Sequence, residues 1–125
     1  MTSPEAVKQH YSGRGLAERI FTTLAAEGHD TGNLTPGILA PYDEFHVGGL
    51  AATERFSGRL SLDPALSLLD VGCGAGGPAR VVAAGTGCAV NGIDLTAGFI
   101  TAGAELNKRC GLEKLITLHL SLIHI

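Results

Sequence analysis

Apolar residues recur at helical spacing in the first half of the chain and in short runs in the second half. Leu16, Ile20 and Leu24 fall at i, i+4 and i+8, one face of a helix that Gly28 ends. Residues 4–9 read as an earlier short helix. Residues 29–37 read as a polar loop finishing in Thr-Pro-Gly. A further helix is expected over residues 50–60, with Leu50, Phe56 and Leu60 as its packing positions, and Leu62-Asp63-Pro64 closes the region. From Ser67 the pattern changes. Leu68-Leu69-Asp70-Val71 is an apolar run ending in a carboxylate and a valine, the pattern of a buried parallel strand. A glycine-rich turn follows at residues 72–77. Pro78 then favours a helix to about residue 84. Residues 88–94 form a second strand, again ending in a carboxylate. Thr96 is placed to cap a helix with Phe99, Leu106 and Cys110 inward and Gly111 at its end. Residues 115–120 make a third strand. The succession βαβαβ predicts a parallel sheet with right-handed crossovers.

Composition narrows the class. At 125 residues the chain suits one domain at most. Charged residues are 17%, below the roughly 25% of an average soluble domain, so there is apolar material for a core. A net charge of −3 argues against a nucleic-acid module, which needs a basic patch. No apolar run approaches the ~20 residues that span a bilayer, and Met1-Thr2-Ser3-Pro4-Glu5 is not the start of a secretory signal. Cys73, Cys88 and Cys110 are odd in number and widely spaced, which fits neither a disulfide framework nor a zinc site, and the histidines show no ligand spacing. No metal site and a cytoplasmic setting are therefore expected. Glycine stands out: 18 residues, about twice the usual ~7%, with clusters at Gly48-Gly49 and residues 72–77.

The chemistry centres on the second cluster. Gly72, Gly74 and Gly77 match a nucleotide-binding turn, a signal that is weak alone but here has a strand before it and a helix after it. Asp94 lies roughly 20 positions beyond Gly72, where a carboxylate can accept both hydroxyls of a ribose. The glycines let a ligand approach main-chain N–H groups near a helix N-terminus. Asp70 discriminates between nucleotides. A carboxylate two residues before the first glycine opposes a pyrophosphate but suits an ammonium or sulfonium group. Asp70 and Asp94 together fit S-adenosylmethionine better than NAD.

Residues Leu69-Asp70-Val71-Gly72-Cys73-Gly74-Ala75-Gly76-Gly77 resemble the first motif of class I S-adenosylmethionine-dependent methyltransferases, and Gly92-Ile93-Asp94-Leu95-Thr96 their second-strand motif. The resemblance implies a Rossmann-like α/β fold in which Gly72 and Gly74 meet the methionine portion of the cofactor. It places Asp70 on the amino group and Asp94 on the ribose, with Cys73 and Leu95 beside them. The lead-in segment Tyr42-Asp43-Glu44-Phe45-His46-Val47-Gly48-Gly49 and residues 105–112 resemble the sarcosine/dimethylglycine N-methyltransferase group. That implies a small-molecule acceptor such as an amine, and no nucleic-acid or membrane partner. Tyr42, His46 and Gly48 become candidates for substrate contact or for a cap. The residues that carry catalysis and the oligomeric state are not given by it.

The expected division is a helical cap over residues 1–62, a βαβαβ cofactor-binding half over residues 63–120, and a non-native tail over residues 121–125. In such a family further strands follow the third, so the chain reads as a fragment truncated after that strand. It is expected to leave residues 67–71 as an open edge, to associate or melt broadly, and to be inactive alone. Two other readings remain, an NAD-linked oxidoreductase fragment and a non-catalytic nucleotide-binding module. Bland readings stand beside the chemical ones: His46 as a loop histidine packing on Phe45, Tyr42 as a half-buried structural ring, Cys73 as a small buried hydrophobe. Asp43 and Glu44 read as a solvated edge, since neighbours do not face each other on a helix.

Overall fold

A computed structural model describes residues 15–121 of the chain. The expected helix at residues 4–9, His10, the tail beyond Ser121 and His124 lie outside the described residues. Three helices come first: α1 (Leu16–Ala26), α2 (Pro36–Asp43) and α3 (Gly49–Arg59). Then follow β1 (Ser67–Val71), α4 (Gly77–Thr86), β2 (Ala89–Asp94), α5 (Ala97–Arg109) and β3 (Ile116–Leu120). The strands form a parallel sheet in the order β1-β2-β3. Leu69 pairs with Asn91 across the first ladder, and Asn91 with Thr117 across the second. Among the described residues no helix is long and apolar enough to cross a membrane, and no cluster of side chains could hold a metal ion.

Two apolar clusters hold these elements together. Ala79, Val82 and Ala83 of α4 meet Cys88, Val90 and Ile116 over the sheet. Ile20 and Leu24 of α1 meet Leu34, Leu39 and Leu106, joining the first helices to α5. Leu24, Leu39 and Leu106 are fully buried, and each contributes roughly 1.5–3 kcal/mol by leaving water.

The structure departs from the hydrophobic pattern in three places. First, the expected loop at residues 29–37 gives way to α2 at Pro36. Thr35 is its N-cap, its Oγ1 accepting from the Ile38 N–H at 3.2 Å, with proline in the first turn. Second, α3 buries Thr53 and Ser57 rather than Phe56 and Leu60, and Phe56 is 63% exposed. Polar partners choose this face, because the Thr53 hydroxyl donates to Glu44 Oε2 at 3.1 Å. Third, β1 is not buried. It is the open edge of the sheet, as expected for residues 67–71, with Leu69 62% and Val71 72% exposed.

An open, apolar, parallel edge is a template for pairing with other chains. Leu69→Lys is therefore expected to reduce concentration-dependent association in light scattering while changing stability by less than about 0.5 kcal/mol. Unchanged association in the variant would show that this edge is not the sticky surface.

Candidate functional site

The turn between β1 and α4 is shaped by its glycines. Gly72 and Gly74 have φ of 75° and 58°, in the left-handed region that favours glycine. A Cβ on Gly72 would project into open space, so the backbone there is bare to any approaching ligand. Gly77 serves a different purpose, since a Cβ there would strike the carbonyl oxygen of Asp43. Its lack of a side chain lets α2 seat directly on the start of α4.

Asp94 ends β2 and is anchored at both oxygens. Oδ2 accepts from the Gly74 N–H and Oδ1 from the Thr96 N–H, each at 2.9 Å. Each carboxylate oxygen keeps acceptor capacity beyond that one bond, so a fixed carboxylate stands ready for two further donors. The N–H groups of Gly72 and Cys73 both donate to the Ile93 carbonyl, at 2.8 and 3.0 Å. These three amides tie the turn to β2. These three are therefore not the N–H groups that a ligand would meet at the turn. What it offers is bare backbone and a prepared carboxylate.

Asp70 is half-buried beside this turn. Burial raises its carboxyl above the usual range, and the charges of Asp94 and Glu44 push the same way. The site is thus an acidic mouth, favourable to a cation and unfavourable to a phosphate. Cys73 is buried, with Sγ donating to the Gly74 carbonyl at 3.4 Å. Burial first, then the charges of Asp70 and Asp94, pushes its thiol up to about 11. It is packing beneath the turn and no nucleophile. Leu95 is exposed just past Asp94, an apolar surface next to the carboxylate.

The lead-in segment closes over the turn from the other side. The Phe45 ring lies 3.4 Å from where a Gly74 Cβ would stand and pairs with Phe99 of α5, centroids 5.4 Å apart. Phe99 therefore joins the site rim. His46 Nε2 lies 2.7 Å from Glu44 Oε2 and 2.8 Å from Thr53 Oγ1, and Nδ1 lies 3.1 Å from the Val47 carbonyl. Donation from both ring nitrogens, to the Glu44 carboxylate and to the Val47 carbonyl, requires the imidazolium form. The Val47 hydrogen bond first, and Glu44 after it, raise the His46 pKa against the opposing effect of burial. Tyr42 points elsewhere. Its hydroxyl donates to Glu27 Oε1 at 2.6 Å, which raises its pKa, and its ring packs on the α1–α5 core. Gly48, with φ of 93°, opens α3.

The reading of Asp43 and Glu44 as a solvated edge is overturned. Asp43 is 2% exposed and pairs with the fully buried Arg80, Nη2 donating to Oδ2 at 2.9 Å; the Glu44 side chain is buried too. Asp43 ends α2 rather than continuing it, so the two carboxyls turn to different neighbours. Arg80 was not singled out by its sequence context, because an arginine on an amphipathic helix ordinarily reads as solvated. Gly77 and the acidic residue at position 43 were the available signals.

A cleft of about 560 Å³ runs along β1, lined by His46, Thr53, Phe56, Leu60, Leu69 and Asp70 among others. A larger groove of about 720 Å³ lies between α1 and α5 and is not lined by the residues of the glycine turn, so its volume does not mark the chemistry.

No protein-family model matches the chain. It is similar to the botryococcene C-methyltransferase of Botryococcus braunii, 40% identical over 100 residues that make up 74% of this chain and 25% of that protein. It is also similar to the cycloartenol-C-24-methyltransferase of Arabidopsis thaliana, 41% identical over 56 residues, 45% of this chain and 17% of that one. The chain thus spans a quarter or less of the length of these relatives. Among solved structures, the geranyl diphosphate C-methyltransferase of Streptomyces coelicolor A3(2), in complex with Mg2+, geranyl diphosphate and S-adenosyl-L-homocysteine, superposes with a TM-score of 0.54 at 24% identity. That match covers 57% of this chain and 27% of that one. The three parallel strands and their helices match part of a Rossmann-like methyltransferase fold.

Proposed function

We propose that this chain supplies the S-adenosylmethionine-binding part of a methyltransferase acting on a small molecule. The observation that carries this is the Asp94 carboxylate, fixed by the Gly74 and Thr96 amides beside the bare backbone of Gly72 and within the field of Asp70. The residues present fit the cofactor. Asp94 would accept from the ribose hydroxyls, Asp70 would face the ammonium group, Gly72 and Gly74 would lie under the methionine portion, and Leu95 would offer its apolar side chain. When bound, the cofactor supplies an electrophilic methyl group on a positive sulfur. The chain's own contribution is to hold that cation in an acidic, partly covered mouth. Methyl transfer needs chiefly positioning and exclusion of water.

The acceptor reading that the relatives support is carbon methylation of a small molecule with an isoprenoid skeleton, since those named above are C-methyltransferases of botryococcene, cycloartenol and geranyl diphosphate. An amine such as sarcosine or dimethylglycine is the second reading. It is supported by the resemblance of residues 42–49 and 105–112 to that N-methyltransferase group. An NAD-linked oxidoreductase is disfavoured by the charge of the mouth.

Asp94→Asn keeps one acceptor for a backbone amide and removes the charge. It is expected to weaken S-adenosylhomocysteine by about one to two decades, the value of one charge-assisted hydrogen-bond partner at roughly 1.5–3 kcal/mol. Calorimetric titration measures this. Undiminished affinity in a folded variant would remove Asp94 from the binding site.

A further inference from the structure

Beneath the glycine turn lies a buried charge that the proposed ligand site does not use. Arg80 of α4 is 0% exposed. Its Nη2 donates to Asp43 Oδ2 at 2.9 Å, and its Nη1 donates to Asn107 Oδ1 at 2.8 Å and to the Gly103 carbonyl at 3.3 Å. A Cβ on Gly76 would stand 3.0 Å from Nη1, so the guanidinium lies directly against the backbone of the turn. On the other flank Gly77 is pressed against Asp43. One planar cation thus bonds the end of α2 to the middle of α5 while packing against the underside of the turn. A lysine, with a single ammonium and no fork, could satisfy only part of this set.

We propose that Arg80 is a positioning residue: by bridging Asp43 to Gly103 and Asn107 it fixes the glycine turn against β2, and through the turn it sets cofactor affinity. Only the second half of this rests on the function proposed above. The first half concerns the turn alone. Its mechanical logic is that Gly72, Cys73 and Gly74 are bonded to β2 by their own amides, whereas Gly76 donates back to the Cys73 carbonyl and packs against Arg80 and Leu118. Loosening the clamp would let the turn lift and release those amides.

The test uses the full 125-residue chain with Arg80→Lys and Asp43→Asn, following amide hydrogen exchange and S-adenosylhomocysteine titration together. Exchange at Gly72, Cys73 and Gly74 is expected to quicken by about tenfold relative to Val90 and Leu106, within the range for residues sharing one hydrogen-bond network. Affinity for S-adenosylhomocysteine is expected to fall by a similar factor. A purely structural role would move all amides together or only the unfolding midpoint. Exchange at residues 72–74 that is unchanged, or that rises only in step with Val90 and Leu106, overturns the proposal. If Arg80→Lys does not fold, Asp43→Asn, which keeps shape and an acceptor, decides the matter by the same exchange ratio. If the native chain itself fails to bind S-adenosylhomocysteine, the cofactor reading falls while the exchange ratio still decides whether Arg80 holds the turn.

Discussion

Replacing Arg80 with methionine is expected to cost about 3–5 kcal/mol of stability at neutral pH, the usual consequence of removing one partner of a buried ion pair. Asp43 would be left 2% exposed and unpaired, and the Asn107 Oδ1 and Gly103 carbonyl would lose their donor. The loss is not the net worth of the pair, whose own desolvation is costly; it is the penalty for an orphaned charge. Asp43 can escape part of that penalty by taking up a proton, so the cost should shrink on acidification from pH 7 to pH 5. Denaturant unfolding of the variant at the two pH values measures both quantities. The double variant with Asp43→Asn should be more stable than the sum of the two single losses implies. A cost below about 1 kcal/mol would mean that the pair is effectively solvated, contrary to its burial.

The second large effect is an inverted pH dependence. Burial raises the Asp43 carboxyl from 3.8 to about 6, outweighing the nearby Arg80 guanidinium that pulls it down. The folded chain therefore holds this proton where the unfolded chain has already released it. A carboxylate with a raised folded pKa contributes stability that is complete below the unfolded value, near pH 4, and is lost as pH rises through about 6. Two units of difference correspond to on the order of 3 kcal/mol. Asp70 is shifted in the same direction, chiefly by burial. His46, raised chiefly by its Val47 hydrogen bond, contributes stability that is full below its ordinary value of 6.5 and fades as pH rises through the raised one. All three groups thus favour the folded state at mildly acidic pH. The unfolding midpoint is expected to rise between pH 8 and pH 5, the reverse of ordinary acid denaturation, and Asp43→Asn should remove the largest share of that slope. A midpoint that falls steadily over the same range would show that Asp43 stays ionised in the fold.

The elements best read from the sequence are those whose signal is local. The Leu16, Ile20 and Leu24 stripe, the glycine turn and the Gly111 stop each depend on their own neighbourhood, and α1, the β1–α4 turn and the end of α5 lie where they imply. The three-stranded parallel order follows from chain alternation and crossover handedness. What the pattern missed depends on distant partners. Phe56 and Leu60 look like the packing face of α3, but Glu44 and His46 hold the Thr53 side instead. The face of α3 is set by polar bonds to a segment that no periodicity connects to it. Asp43 looks solvated until Arg80, 37 positions away, is placed beside it. For the candidate site, Asp70 and Asp94 were legible because strand ends in a parallel sheet converge at one edge. The Phe45–Phe99 pair was not, because it joins the lead-in segment to α5 across the turn. Nor was the use of the turn's amides, since a glycine motif does not say whether its N–H groups face a ligand or the next strand.

The most direct test of the proposed cofactor is a calorimetric titration of the 125-residue chain with S-adenosylhomocysteine and, separately, with NAD under identical conditions. The acidic mouth formed by Asp70 and Asp94 should admit the ammonium-bearing ligand and reject the pyrophosphate. Saturable binding of S-adenosylhomocysteine, with NAD at least tenfold weaker (roughly 1.4 kcal/mol), is the expected result. NAD binding as tightly as S-adenosylhomocysteine, or more tightly, would contradict it.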